Sequence, residues 1–224
     1  MKPAKFIYIA VIFSFFHCKK KDAPALVIVE NAPSPVKKYD NYLPLKIGNY
    51  WIYERFQIEQ HGTTFSLNQF DSSYVEKDTL IRNNTFFKIR RYDFIFNQYR
   101  YLTIRDSLHY ILDSSGKILF SSEDFSTIFS TYELVNAPGD TMYTGYSKMN
   151  DKDLVVITPA GTFTTSNLET TYWFFPAYHK PGINNPRSLN NRYCKNIGLI
   201  VETEPFYGSS NYMTERRLIR YHLN

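Results

Sequence analysis

From Tyr50 to Leu223 apolar residues recur at every second position in short runs, and the runs are broken by Asn, Gly, Asp, Ser and Pro. Alternation at a period of two is the signature of a half-buried strand. The 19 tyrosines and 18 phenylalanines reinforce it, because aromatic side chains suit a pleated surface. The runs predict strands over Tyr50–Ile58, Phe65–Glu76, Thr85–Tyr92, Gln98–Arg105, Leu108–Asp113, Ile118–Ser121, Thr141–Lys148, Leu154–Thr158, Gly161–Phe174, Ile197–Glu204 and Glu215–Leu223. Turn chemistry lies between several of them: Arg82-Asn83-Asn84, Asp113-Ser114-Ser115-Gly116 and Ala160-Gly161 tolerate positive φ. Repeated strand-turn-strand order predicts an all-β fold, an antiparallel meander that must cover one face by forming a sandwich or a curved half-barrel. At most one short helix fits, over Ser122–Thr131, where Phe125, Ile128 and Phe129 share one helical face; a loop packed by those rings is the alternative. In the run Tyr99–Arg105, Leu102 and Ile104 face the core, and Tyr99 and Tyr101 face away from it.

The first 40 residues follow different rules. Lys2 and Lys5 precede an 11-residue apolar run, Phe6 to Phe16, and Cys18 follows it, trailed by Lys19, Lys20 and Lys21. A membrane span needs about 20 apolar residues, so the run reads as an export signal. It resembles bacterial lipoprotein signal peptides, with His17 and Phe15 where a small and an aliphatic residue are usual. That resemblance implies cleavage before Cys18, acylation of Cys18 (palmitate as the labelling precursor) and an outer-membrane location with its face left open. Residues 1–17 are then the signal, 18–40 a proline-bearing tether and 41–224 a single β domain. Leu26 to Glu30 could alternatively add an edge strand. Acyl chains contribute about 0.8 kcal/mol per buried CH₂, so two or three anchor stably. With Cys18 lipidated, Cys194 has no disulfide partner. The net charge of +5 is concentrated at the start; from residue 41 onward there are 19 basic and 18 acidic residues, which excludes the basic footprint of a nucleic-acid binder.

Two further segments carry a family resemblance. Tyr42-Leu43-Pro44-Leu45-Lys46-Ile47-Gly48-Asn49-Tyr50-Trp51-Ile52-Tyr53 and Thr158-Pro159-Ala160-Gly161-Thr162-Phe163, with Asn196-Ile197-Gly198-Leu199-Ile200 and a last strand over Leu218–Tyr221, resemble a group of uncharacterised Bacteroidota lipoprotein domains. The resemblance implies a fold and an address, and no activity. The residues themselves read as structural: Trp51 and Tyr53 share a core face, and Gly198 permits a close approach of another backbone.

Catalytic and metal-binding patterns find no support, and no cofactor is expected. Ser107 and His109 stand about 7 Å apart if both lie on one strand, too far for a nucleophile–base pair. Asp151 and Asp153 read as a solvated hairpin tip, and Glu202 and Glu204 as a solvent-facing edge. Lys195 could activate the Cys194 thiol, but no second cysteine or nearby histidine accompanies it. The segment Tyr172 to Lys195 reads as a long aromatic loop, and such loops are commonly functional. In it Trp173, Phe175, Tyr178 and Tyr193 can line a site for an apolar or sugar-like ligand, with Arg187 or Arg192 fixing a polar group. The alternative is a structural cap. The expected function is a non-catalytic binding or scaffolding role at the membrane, with an envelope protein or an apolar or glycan ligand as partner. A carrier with a cavity around Leu102, Ile104, Val156 and Phe163 is the second reading, and an unrecognised hydrolase the third.

Overall fold

A computed structural model describes residues 37–93, 97–204 and 210–224. Cys18, the signal and most of the tether, Leu26 to Glu30 included, lie outside the described residues. Lys38–Asn224 forms one compact unit. It contains β1 (Tyr50–Glu59), β2 (Thr64–Ile81), β3 (Asn84–Asp93), β4 (Gln98–Ser107), β5 (Tyr110–Asp113), β6 (Ile118–Ser121), β7 (Ser130–Val135), β8 (Thr141–Met149), β9 (Leu154–Thr158), β10 (Gly161–Phe174), β11 (Arg187–Cys194), β12 (Gly198–Thr203) and β13 (Tyr212–His222).

All thirteen strands belong to one antiparallel sheet in the order β6-β5-β4-β3-β2-β1-β13-β12-β11-β10-β8-β7, with β9 also paired to β10. The all-β meander expected from the alternation is therefore the architecture, curled until its two ends nearly meet. At the seam the Ser121 amide of β6 donates to the Met149 sulfur of β8 at 3.4 Å. Register shifts at Ile52/Tyr53, Glu54/Phe56 and Val75/Lys77 bend the long strands into this curve. The only helical turn among the described residues is a 3-10 turn at Pro176–Tyr178.

The concave face holds the core. Trp51, Tyr53, Val75, Ile104, Phe120, Met149, Ile200 and Leu218 are fully buried there. Trp51 Nε1 donates to the Ile197 carbonyl at 2.6 Å, and Tyr53 donates to the Leu199 carbonyl at 3.0 Å, so both rings bury their polar atoms satisfied. Gly198, at φ +114°, packs against the Trp51 indole; the close approach there is of a side chain rather than a backbone. Leu102 and Ile104 face inward, while Tyr99 and Tyr101 are exposed on the convex face.

Several local expectations differ from the structure. Ser122–Thr131 is not a helix. Ser121 Oγ accepts the amides of Glu123 and Asp124, Asp124 Oδ1 accepts those of Ser126 and Thr127, and the Phe129 amide donates to the Ser147 carbonyl. Those bonds divert the donors a helix would need, and Phe125 and Phe129 pack on the core as loop residues. The Tyr172–Lys195 segment is not one long loop: β10 runs to Phe174 and β11 occupies Arg187–Cys194, leaving residues 175–186 as the connection. The polar composition of β11 is accommodated by cross-strand bonds, Ser188 to Glu169 at 2.7 Å and Asn167 to Asn190 at 2.8 Å. Asp151 is not a hairpin tip, because β8 and β9 both lie along β10; it accepts two bonds from Arg192, at 2.7 and 3.1 Å.

Candidate functional site

The six residues expected to share a ligand do not converge. Trp173 and Phe175 are exposed near the end of β10, with the Trp173 ring 5.2 Å from Tyr146. Tyr178 donates to Asp140 at 3.3 Å and accepts from Asn136, which ties the 3-10 turn to the β7–β8 turn. Arg187 is buried and donates to the carbonyls of Ser210 and Tyr212, at 2.7 and 3.0 Å. Arg192 is held by Asp151. Tyr193 lies inside the sheet with its ring 4.6 Å from Phe120. Ser166 faces Tyr193 and Tyr172 faces Arg187, so Tyr193 is six residue steps, about 20 Å, from the Trp173 end.

Inside the sheet the sequence reading missed a charged cluster. β12 lies between β11 and β13, so Glu202 points into the interior instead of lining a solvent-facing edge. Arg216, 1% exposed, donates from Nη1 to Asp71 at 2.7 Å and from Nε to Glu202 at 2.6 Å; its guanidinium lies 4.4 Å from the Tyr53 ring centre. Arg91 donates to both Glu202 oxygens, at 3.1 and 3.0 Å. Burial opposes ionisation of Glu202, but Arg216 and Arg91 outweigh it and hold the carboxyl at about 2. At Asp71 burial wins over Arg216 and raises the pKa, and Asp71 Oδ2 has no partner. Further along, Glu204 accepts from Arg55 Nε at 3.0 and 2.8 Å, so it too is paired rather than free at an edge. Two cations and two anions neutralise each other around Arg216, an arrangement suited to fixing strand register. Among the described residues an interior cavity of about 40 Å³ is bounded by residues such as Trp51, Leu102, Ile104 and Tyr193.

A roomier concavity than this lies at one mouth of the sheet. A cleft of about 280 Å³ opens between the Tyr39–Tyr42 segment, the β4–β5 hairpin and the start of the 122–129 loop. The Tyr39–Tyr42 segment is fixed by Lys195, which pairs with Asp40 at 2.6 Å, and by the Asn196 amide, which donates to Asn41 at 2.7 Å. Asp106 continues the inward stripe of Leu102 and Ile104 into this cleft and is paired in register with Ile111, which faces Phe120. One side of its carboxyl is open to solvent; the other meets apolar walls, and burial pushes its pKa up to about 6. His109 is a turn residue, not a strand neighbour of Ser107: Leu108, at φ +57°, and His109 connect β4 to β5. Its Nδ1 meets Ser121 Oγ at 3.0 Å, and that serine is fully buried and already accepts two backbone amides. The pair has the composition of a nucleophile and base but the packing of a structural cap. Ser122 also lines the cleft, and its hydroxyl is buried without a partner. The sequence reading missed Asp106, whose signal was its place two residues beyond Ile104 in the inward stripe; Ser122 carried no signal outside the fold. The Cys194 thiol is half-buried, and burial raises its pKa, the reverse of activation by Lys195.

No family model and no curated protein matches the chain. Among solved structures, a Bacteroides fragilis protein inferred to be exported, with a YmcC-like fold, is similar at 12% identity and a TM-score of 0.47, over 82% of this chain and 100% of that one. A Parabacteroides distasonis protein inferred to be a lipoprotein is similar at 10% identity and a TM-score of 0.47, over 83% of this chain and 100% of that one.

Proposed function

We propose that the chain is a cell-envelope domain, anchored to the outer membrane by lipid on Cys18, that works by binding rather than by chemistry. The address rests on the Phe6–Phe16 run, the cysteine behind it and the basic residues on either side. The observation that supports the mode of action is the distribution of space among the described residues: rings and ion pairs pack around Arg216 and leave a cavity of about 40 Å³ there, while a cleft of about 280 Å³ opens at the mouth. A carrier would need a cavity of about 300–1,000 Å³ inside the sheet, against about 40 Å³ for the cavity that Leu102 and Ile104 line. A hydrolase would need an accessible nucleophile, and Ser121, beside His109, has none of its surface exposed.

The test is labelled-palmitate incorporation and membrane fractionation of the full chain. Wild type takes up label and sediments with the outer membrane, and Cys18→Ala does neither. Label that survives in Cys18→Ala overturns the anchor.

A further inference from the structure

We propose that the mouth cleft binds a primary ammonium group, with the Asp106 carboxylate as counter-ion and Ser122 Oγ as a hydrogen-bond acceptor. This deepens the binding reading above by naming the ligand chemistry.

The charge lining is one-sided. The chain carries 26 Lys and Arg, yet none lines the cleft, where His109, bonded to Ser121, is the one basic side chain beside Asp40, Asp106, Tyr39, Tyr42 and Tyr110. Asp40 is already met by Lys195 at the rim. The Asp106 side chain is exposed to the solvent of the cleft and has no hydrogen-bond or ion-pair partner among the described residues, so no protein cation neutralises it. A carboxylate in that setting is stabilised by a cation, and aromatic rings around it present the negative face of their quadrupole to the same cation.

Ser122 selects among cations. The residue is 7% exposed, lines the cleft and has a hydroxyl with no partner, an arrangement that costs free energy until a polar group arrives. His109 Nδ1 and Ser121 Oγ satisfy each other, so neither completes it. A primary ammonium has three N–H donors and can serve Asp106, Ser122 and a tyrosine face together; a quaternary one has no N–H and leaves Ser122 orphaned. At about 280 Å³ the cleft takes a group the size of an amino alcohol. That chemistry occurs both in free amines and in the ethanolamine headgroup of a phospholipid.

The experiment is calorimetry on the full chain in maltoside micelles, titrated with ethanolamine and with choline, beside mixed micelles containing phosphatidylethanolamine or phosphatidylcholine read by the amide signals of Leu108 and Ser122. Ethanolamine binds, and Asp106→Asn weakens it about tenfold or more, as loss of a charge-assisted hydrogen bond implies. Ser122→Ala weakens ethanolamine and not choline. A response to phosphatidylethanolamine and not to phosphatidylcholine assigns the headgroup as the source, and a response to ethanolamine alone assigns a free amine. Unchanged affinity in a folded Asp106→Asn variant, choline binding as tightly as ethanolamine, or silence from both amine sources overturns the proposal. Any of these with palmitate labelling intact removes the ammonium site and leaves the anchor reading standing.

Discussion

Replacing Arg216 with methionine isolates the energetics of the interior. Among the described residues Arg216 is the only side chain that hydrogen-bonds Asp71, while Glu202 keeps two bonds from Arg91 when Arg216 is removed. The damage therefore falls on Asp71, which is 6% exposed and already has one oxygen unpaired. Removing one member of a buried ion pair costs about 3–5 kcal/mol, because the other is left charged and unsolvated. For a domain of this length each kcal/mol moves the melting temperature about 2–4 °C, so Arg216→Met should lower it by roughly 6–20 °C. The loss is pH-dependent. A carboxyl whose folded pKa is raised penalises the native state above that pKa, so the variant should recover stability as acid protonates Asp71. Urea unfolding, followed by the fluorescence of buried Trp51, measures the cost, and Asp71→Asn in the Arg216→Met background should restore much of it. A loss of less than about 1 kcal/mol, or no recovery in the double variant, would refute the assignment of Asp71 and Arg216 as a coupled pair.

Other outcomes follow from the same geometry. Glu202 is held at about 2 against an ordinary 4.5, so it contributes up to about 3 kcal/mol above pH 4.5, lost as pH falls toward 2; Glu202→Gln should flatten that limb of the stability profile. Asp106 is shifted the other way, so Asp106→Asn should modestly stabilise the protein at pH 7, with the gain gone below about pH 4 in pH-resolved urea melts. Gly198→Ala should cost about 1–3 kcal/mol, because φ is +114° and the new Cβ would stand 3.0 Å from Trp51 Nε1; a melting temperature equal to wild type would contradict it. Trp173→Ala, at a partly exposed surface position, should change stability by about 1 kcal/mol or less and leave ethanolamine binding unchanged in the same calorimetry.

Strand identity was readable wherever the alternation was apolar and the turn residues were decisive. Arg82 and Asn83, both at positive φ, close β2 to β3 where their composition indicated a turn. The failures share a cause. β11 reads RSLNNRYC, and its polar residues are satisfied by Glu169, Asn167 and Asp151 from neighbouring elements. The 122–129 segment has helical spacing, but its amides are claimed by Ser121, Asp124 and the Ser147 carbonyl. The β11 partners and the Ser147 carbonyl come from distant segments, and Ser121 and Asp124, though local, compete for the amides only in the folded loop.

By itself, the sequence determined that the described residues after 41 are chiefly antiparallel β structure with Trp51 and Tyr53 on one face, because a period of two is a local property of backbone geometry. It also carried the Phe6–Phe16 run and Cys18, the linear pattern on which the proposed address rests. The tertiary structure decided which charges are inside. Glu202, Asp71, Arg91 and Arg216 come from four strands, β12, β2, β3 and β13, and meet only because the sheet curls. The mouth cleft has the same origin: Asp106 and Ser122 lie 16 positions apart, and their shared solvent-facing void exists only once β4, β5, β6 and the Tyr39–Tyr42 segment surround it. Burial and pairing between distant segments are not properties of any window of the chain, so the ligand chemistry proposed for the cleft had to wait for the fold.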